Sequence, residues 1–327
     1  MKKLVVLISL TVFVFSITSY SQDKVGQTGI KMFDVGAGAR ACGMGEAYTV
    51  IGQDADALFY NPSCIGEIEG NFDLSVGMTQ WFADINYGYL SAVYNAGVWG
   101  NFGISMLVPD YGEIIGTELD LDTTTSSGYV VTGPIKTSSY CVGIAYAREF
   151  TDKFTVGAQI KYVMQQLGES SDPVVDTLYS DNVISTLAYD FGLLFYPGFK
   201  SFAFGMSVRN FSPRIRYELD GFELPLTFAL GIGLDLMDFL GEYPDYSFNI
   251  GAEMLHPRDW QEVFHLGGEF AYKDMFFLRA GYKFRYSQEG YNAGVGFSYG
   301  GVRIDYSYSE FRLFDDMINR VSVGFEL

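Results

Sequence analysis

Val98-Trp99-Gly100-Asn101-Phe102-Gly103-Ile104-Ser105-Met106-Leu107-Val108 is the stretch whose reading decides the fold. One face carries Val98, Phe102, Ile104, Met106 and Val108; the other carries Asn101, Gly103 and Ser105. A period of two puts large apolar side chains on one side of a sheet and small or polar ones on the other.

The same alternation recurs along the chain. It gives Phe154, Val156, Ala158, Ile160 and Tyr162, then Leu226, Phe228, Leu230, Ile232 and Leu234, then Phe276, Leu278, Ala280 and Tyr282. Together with two runs at 71–80 and 85–94, the pattern predicts about 14 strands, within roughly 12 to 16.

The connections alternate in length. Asn95–Gly97, Thr151–Lys153, Pro197–Lys200, Lys273–Met275 and Gly300–Gly301 are tight turns. The links 110–137, 168–182, 212–223, 256–262 and 309–318 are longer and polar. Short periplasmic turns and long external loops produce this rhythm in outer-membrane barrels. The link 238–245 is longer than a periplasmic turn should be. Opposite the apolar faces, parity places Lys161, Arg209, Glu253, Glu269, Arg279, Lys283, Arg303 and Asp305. Ionisable groups opposite an apolar face require that their own face be wet, which a polar lumen supplies. The predicted fold is an all-β, transmembrane antiparallel β-barrel with its apolar face on membrane lipid, and residues 71–327 form it.

The ends and composition agree. Lys2 and Lys3 precede the apolar run from Leu4 to Ile17, and Ser19 and Ser21 precede Gln22, so residues 1–21 are read as a cleaved signal peptide. Beyond it no continuous apolar run reaches the 18 or so residues a membrane helix needs. A net charge of −18 argues against nucleic acid as a partner. The compartment implied is the outer membrane of a Gram-negative-type bacterium, with the last strand ending on Phe325 and Leu327.

Residues 22–70 do not read as strands. They hold Val35-Gly36-Ala37-Gly38-Ala39-Arg40-Ala41-Cys42-Gly43-Met44-Gly45-Glu46 and, further on, Asp54, Asp56 and Tyr60-Asn61-Pro62-Ser63-Cys64-Ile65-Gly66. A barrel of this size leaves a lumen to be filled, and this segment is read as an N-terminal lumenal plug. Gly36, Gly38, Gly43, Gly45 and Gly66 allow close approach to the wall. Arg40 can pair with lumenal acids or cap carbonyls left unpaired by an irregular segment, Met44 and Asp54 belong to the same plug motif, and Asn61-Pro62 marks a turn just before the chain enters the wall. No Lys-Ser/Thr follows the glycines, which excludes a phosphate-binding loop. Cys42 and Cys64 either pair across the segment or lie buried as thiols with Cys141.

The residues from Gly38 to Gly66 resemble the N-terminal signature of the PorV/PorQ outer-membrane proteins, relatives of FadL-type hydrophobic transport barrels. The pattern departs at Ser63 and Cys64, where small residues are usual. The resemblance implies a non-enzymatic barrel working with secretion-system or surface-attachment proteins in type IX secretion, holding exported cargo at its external loops. The alternative it implies is a FadL-like passive channel for a hydrophobic small molecule. No catalytic set, metal or cofactor is expected. His265 faces inward without a serine partner, and His256 lies in a loop. The acids Asp110, Glu113, Glu118, Asp120 and Asp122, with Glu169, Asp172, Asp176 and Asp181, lack the spacing of a calcium loop.

Overall fold

The computed structural model describes residues 27–68, 70–119, 128–171, 179–217, 220–241, 243–312 and 316–327. The expected signal peptide lies outside them, as do Asp120, Asp122, Asp172 and Asp176. The strands are β1 (Phe72–Gln80), β2 (Asn86–Asn95), β3 (Asn101–Asp110), β4 (Ile115–Leu119), β5 (Tyr129–Pro134) and β6 (Thr137–Thr151). They continue with β7 (Phe154–Ser171), β8 (Tyr179–Phe195), β9 (Ala203–Phe211), β10 (Ile215–Arg216), β11 (Gly221–Phe222) and β12 (Thr227–Asp235). The last are β13 (Tyr246–Pro257), β14 (Val263–Tyr272), β15 (Phe276–Phe284), β16 (Glu289–Tyr299), β17 (Val302–Phe311) and β18 (Asp316–Glu326).

Among the described residues, fourteen of these strands close an antiparallel barrel: β1–β3, β6–β9 and β12–β18. β1 and β18 complete the ring, with Asp73 opposite Glu326 and Gln80 opposite Asn319. β4 with β5, and β10 with β11, form small hairpins in two of the long connections.

The pleat sorts side chains as the sequence predicts. Ile144 is 68% exposed and Leu278 61%, both in mid-strand, whereas Gln159, Glu269 and Asp305 are buried. Exposed apolar and buried polar residues on one strand invert a soluble protein's logic; a lipid-facing exterior restores it.

Three local readings change. The strand quoted first begins at Asn101, because Gly97–Trp99 forms a 3-10 turn flanked by Gly97 at φ 62° and Gly100 at φ 86°. Val98 and Trp99 are therefore exposed turn residues. β6, β7 and β8 run 15, 18 and 17 residues, beyond the roughly 9–11 that cross a bilayer, so part of the expected loop 168–182 is strand. The long link at 238–245 contains a short helix, Met237–Leu240. Asp235 stabilises it by accepting hydrogen bonds from the Met237 and Phe248 N–H groups at 2.8 and 3.0 Å.

Residues 28–68 lie inside the ring. They start at the loop end, where Gly29 N–H donates to the Glu223 carbonyl, and leave at the turn end, where Asn95 Nδ2 donates to the Ile68 carbonyl. The apolar core is the seam between plug and wall. Ala55, Ala57, Leu58, Cys64 and Ile65 of the plug pack on Val93, Ala145, Ala147 and Leu194 of the wall. Cys42, Cys64 and Cys141 are buried free thiols, which settles the pairing question against a disulfide.

Candidate functional site

Arg40 sits on a short helix, Ala39–Gly43, whose alanines and glycine bury against the wall. Small residues on every side bring this helix to the strands, so its one long side chain must lie in the seam. The Arg40 guanidinium donates to both Glu269 carboxylate oxygens, from Nε at 2.9 Å and from Nη2 at 2.7 Å. Its Nη1 donates to Asp54 Oδ2 at 3.0 Å. Arg303 reaches the same Asp54 oxygen at 2.8 Å and Asp305 Oδ2 at 2.9 Å. Arg279 closes the circuit, donating to Asp305 Oδ1 at 2.7 Å and Glu269 Oε2 at 2.6 Å.

Three arginines and three carboxylates thus alternate around a closed ring of zero net charge. Two members, Arg40 and Asp54, belong to the plug; four belong to β14, β15 and β17. Buried charges need such pairing, and fork-shaped arginine contacts are the strong form of it. The strand register prepares the ring. Glu269 stands directly opposite Arg279. Between Arg279 and Asp305 lies β16, whose Gly296 leaves the room through which the ion pair passes; a Cβ there would meet Arg279 Nη1 at 2.7 Å.

Other wall groups hold the plug along its length. Lys283 pairs with Glu46 at 2.6 Å and Glu289 at 2.5 Å. Glu253 accepts the Thr49 N–H at 3.0 Å. Asp56 accepts from Ser91 at 2.8 Å and Tyr89 at 3.2 Å, and Asp73 accepts the Ala55 N–H at 3.0 Å. Asn61 folds the Asn61-Pro62 turn onto itself, donating to the Thr49 carbonyl at 2.7 Å while its Oδ1 accepts from Ser63 N–H and Oγ–H. Pro62 then lies against Gly157 and Gly192, and Gly66 against Thr155. Gly45, at φ 62°, presses its backbone on Tyr282, where a Cβ would approach the Tyr282 nitrogen to 3.0 Å. Gly43 faces Gly294, Met44 is buried, Gly38 at φ 83° leads into the helix, and the Gly36 carbonyl accepts from Arg320 at 3.4 Å.

All eight charged residues expected to face inward do so. Arg279, Glu269, Asp305 and Arg303 join the ring; Lys283 and Glu253 hold the plug; Lys161 pairs with Asp190 at 2.7 Å. Arg209 donates to the Phe59 carbonyl at 3.2 Å. His265 is buried between Tyr286 at 2.9 Å and Glu253 at 3.3 Å, while His256 is exposed beside Glu262. Asp190 and Arg320 also face inward and were missed. Their parity, opposite Phe191 and Val321, was the available signal.

At the loop end a strap, residues 28–34, crosses the mouth. Asp259 accepts hydrogen bonds from both Thr28 and Lys31, Lys31 also pairs with Asp34 at 2.9 Å, and Arg258 pairs with Glu223. Burial alone would raise the Asp259 carboxyl, but these hydrogen bonds hold it below the ordinary range.

A sequence model of the type IX secretion system membrane protein family PorP/SprF matches residues 129–312, more than half the chain. The chain belongs to the PorP/SprF family. This corrects the PorV/PorQ resemblance. That reading rested on Gly38–Gly66, and the matched residues lie wholly in the barrel and its loops. Glycines, an arginine and an Asn-Pro turn meet the needs of close packing in a lumen, so they mark a plug more than a family. No curated protein matches the chain.

Among solved structures, the chain resembles the toluene transporter TodX of Pseudomonas putida, with 13% identity, a TM-score of 0.56 and coverage of 88% of this chain and 96% of that one. It also resembles a FadL homologue of Pseudomonas aeruginosa, with 12% identity, a TM-score of 0.53 and coverage of 94% and 100%. These likenesses concern the fold. Fold and family together place this PorP/SprF member in the outer membrane.

Proposed function

We propose that this barrel is a non-enzymatic subunit of the type IX secretion machinery that receives exported proteins at its external loops and passes them to surface-attachment partners. The observation that carries this reading is the contrast between a filled lumen and an apolar outer hairpin. The plug is tied to the wall by the six-charge ring and its flanking bonds, which supports a scaffold over a conduit. In the longest external connection, β4 and β5 expose Leu119 (65%), Val131 (59%), Tyr129 and Ile115. A two-stranded hairpin is marginal alone and has two open edges. Strand addition by a partner would cover both its apolar side chains and its edges.

The test is export in cells carrying a triple variant, Leu119→Asp, Tyr129→Asp and Val131→Asp. Loss of type IX-dependent surface proteins, with the barrel still folded in the membrane, is expected. Normal export in a strain lacking the gene sinks the proposal.

A further inference from the structure

Asp56 lies on the 3-10 turn Ala55–Phe59, and its side chain is completely buried between plug and wall. Its hydrogen-bond partners are hydroxyls. Oδ1 accepts from Ser91 Oγ at 2.8 Å, and Oδ2 lies 3.2 Å from the Tyr89 hydroxyl, which is itself 3.0 Å from Ser75 Oγ. Gly38 covers the carboxyl from the plug side, since a Cβ there would meet Oδ2 at 2.5 Å.

No positive charge is free to compensate this group. Among the described residues Asp56 forms no ion pair. Arg303 is the cation that bears on it, and Arg303 is already committed to Asp54 and Asp305 in a ring whose charges sum to zero. The remaining charges oppose ionisation. Asp54, with its buried Oδ1 unpartnered, stands two residues before Asp56, and Asp73 of β1 holds the Ala55 N–H next to it. The titratable group of β2 is Tyr89, and the inward residues of β3, Asn101, Gly103 and Ser105, bring no charge. On the next plug turn, Cys64–Glu67, the Cys64 thiol donates to the Thr49 carbonyl and Glu67 accepts from Thr155.

An ionised carboxylate buried without a cation is costly, whereas the neutral acid fits this place bond for bond. Protonated on Oδ2, Asp56 donates to Tyr89, Tyr89 donates on to Ser75, and Oδ1 still accepts from Ser91. Burial, reinforced by the Asp54 charge, pushes this carboxyl up to about 7.

We infer that Asp56 is a proton-operated latch on the plug: its neutral acid keeps the turn Ala55–Phe59 seated on β1–β3, and loss of the proton loosens it. A loosened turn puts Asp56 in water, where its carboxyl has the ordinary value of about 3.9. The stability supplied by the proton is therefore complete below that value and is lost as pH rises to about 7. Within this window opening releases one proton and becomes up to about tenfold easier per pH unit; above it the response levels off. The latch is independent of cargo handling by the outer hairpin.

The experiment is hydrogen exchange of the full chain in nanodiscs, with each rate divided by the intrinsic chemical rate at the same pH. The reporters are the Ala57, Tyr60 and Asn61 N–H groups, which donate to the Asp54 and Ala57 carbonyls. Their protection should fall at least tenfold across the window and then stay level, while strand amides keep theirs. Asp56→Asn retains a donor for Tyr89 and an acceptor for Ser91 but carries no titrating proton, so its turn should stay protected throughout. Infrared difference spectra near the top of the window, where exposed carboxyls are already ionised, should show a protonated carboxyl band in wild type that Asp56→Asn lacks. Wild-type protection that does not change, the same fall in folded Asp56→Asn, or absence of the band from wild type overturns the inference. The first and last are read on wild type and decide the matter even where the variant fails to fold.

Discussion

Arg40 and Glu269, 229 positions apart in the chain, meet through two hydrogen bonds of 2.9 and 2.7 Å inside the barrel. This contact fastens an irregular segment to a regular wall. It also joins the plug to a ring in which every carboxylate touches two arginines. The ring is redundant: without Arg40, Glu269 still has Arg279 and Asp54 still has Arg303.

Arg40→Met is therefore expected to loosen the plug without unfolding the barrel. The cost is about 3 kcal/mol, the low end for removing one partner of a buried pair. Hydrogen exchange of the plug amides should accelerate about a hundredfold. The strands should keep their protection, and planar-bilayer recordings should show openings absent from wild type. Unchanged plug exchange would count against the ring as its fastening.

Two adjacent residues of β14 provide a sharper comparison. Leu266 faces lipid, whereas a Cβ at Gly267 would run into the Met44 carbonyl of the plug. Leu266→Val should shift unfolding by less than about 1.5 kcal/mol, as volume-related apolar exchanges do. Gly267→Val cannot be accommodated without moving plug backbone, and it should expose residues 28–68 to added protease. Digestion of folded barrel, read by mass, separates the two.

The barrel itself was legible because alternation, turn length and charge parity are local properties repeated along the chain. Lys161, Glu269, Arg279 and Asp305 could be assigned to the lumen from their neighbours alone. Their partners could not. The Arg40–Glu269 contact depends on how the plug threads the ring, and no local pattern encodes a separation of 229 residues. A bulge at Asn210 was equally hidden, since one extra residue in β9 leaves the apolar alternation of Phe204, Met206 and Val208 intact. The family was misread for a related reason. Plug residues answer to packing, and the residues that carry the family match lie in the barrel and loops.

The strap should respond to acid. Asp259 has its carboxyl lowered in the folded chain by Lys31 and Thr28, so its contribution is complete above the ordinary carboxylate value of about 3.9. It is lost as pH falls through the lower, folded value. Once pH has fallen through that lowered value, which lies below the ordinary carboxylate range, the strap should detach from residues 257–262 while the barrel persists. A spin label at residue 30 should then gain mobility on acidification. In Asp259→Asn the label should already be mobile at neutral pH, with little further change.

Ile160 and Lys161 show in consecutive positions how one strand serves two solvents. Ile160 is 54% exposed on the lipid face, and Lys161 is buried against Asp190 and Asn210. Ile160→Lys puts a charge near mid-membrane and should destabilise the barrel by about 2–4 kcal/mol. Lys161→Ile adds no charge, yet it strands Asp190, leaving that buried carboxylate with the Asn210 N–H. Removing one partner of a buried pair costs about 3–5 kcal/mol, so the apolar substitution should be at least as damaging as the charged one. Guanidinium unfolding in lipid vesicles measures both. The double variant Lys161→Ile/Asp190→Leu should recover most of the loss, because it removes the orphaned charge together with its partner.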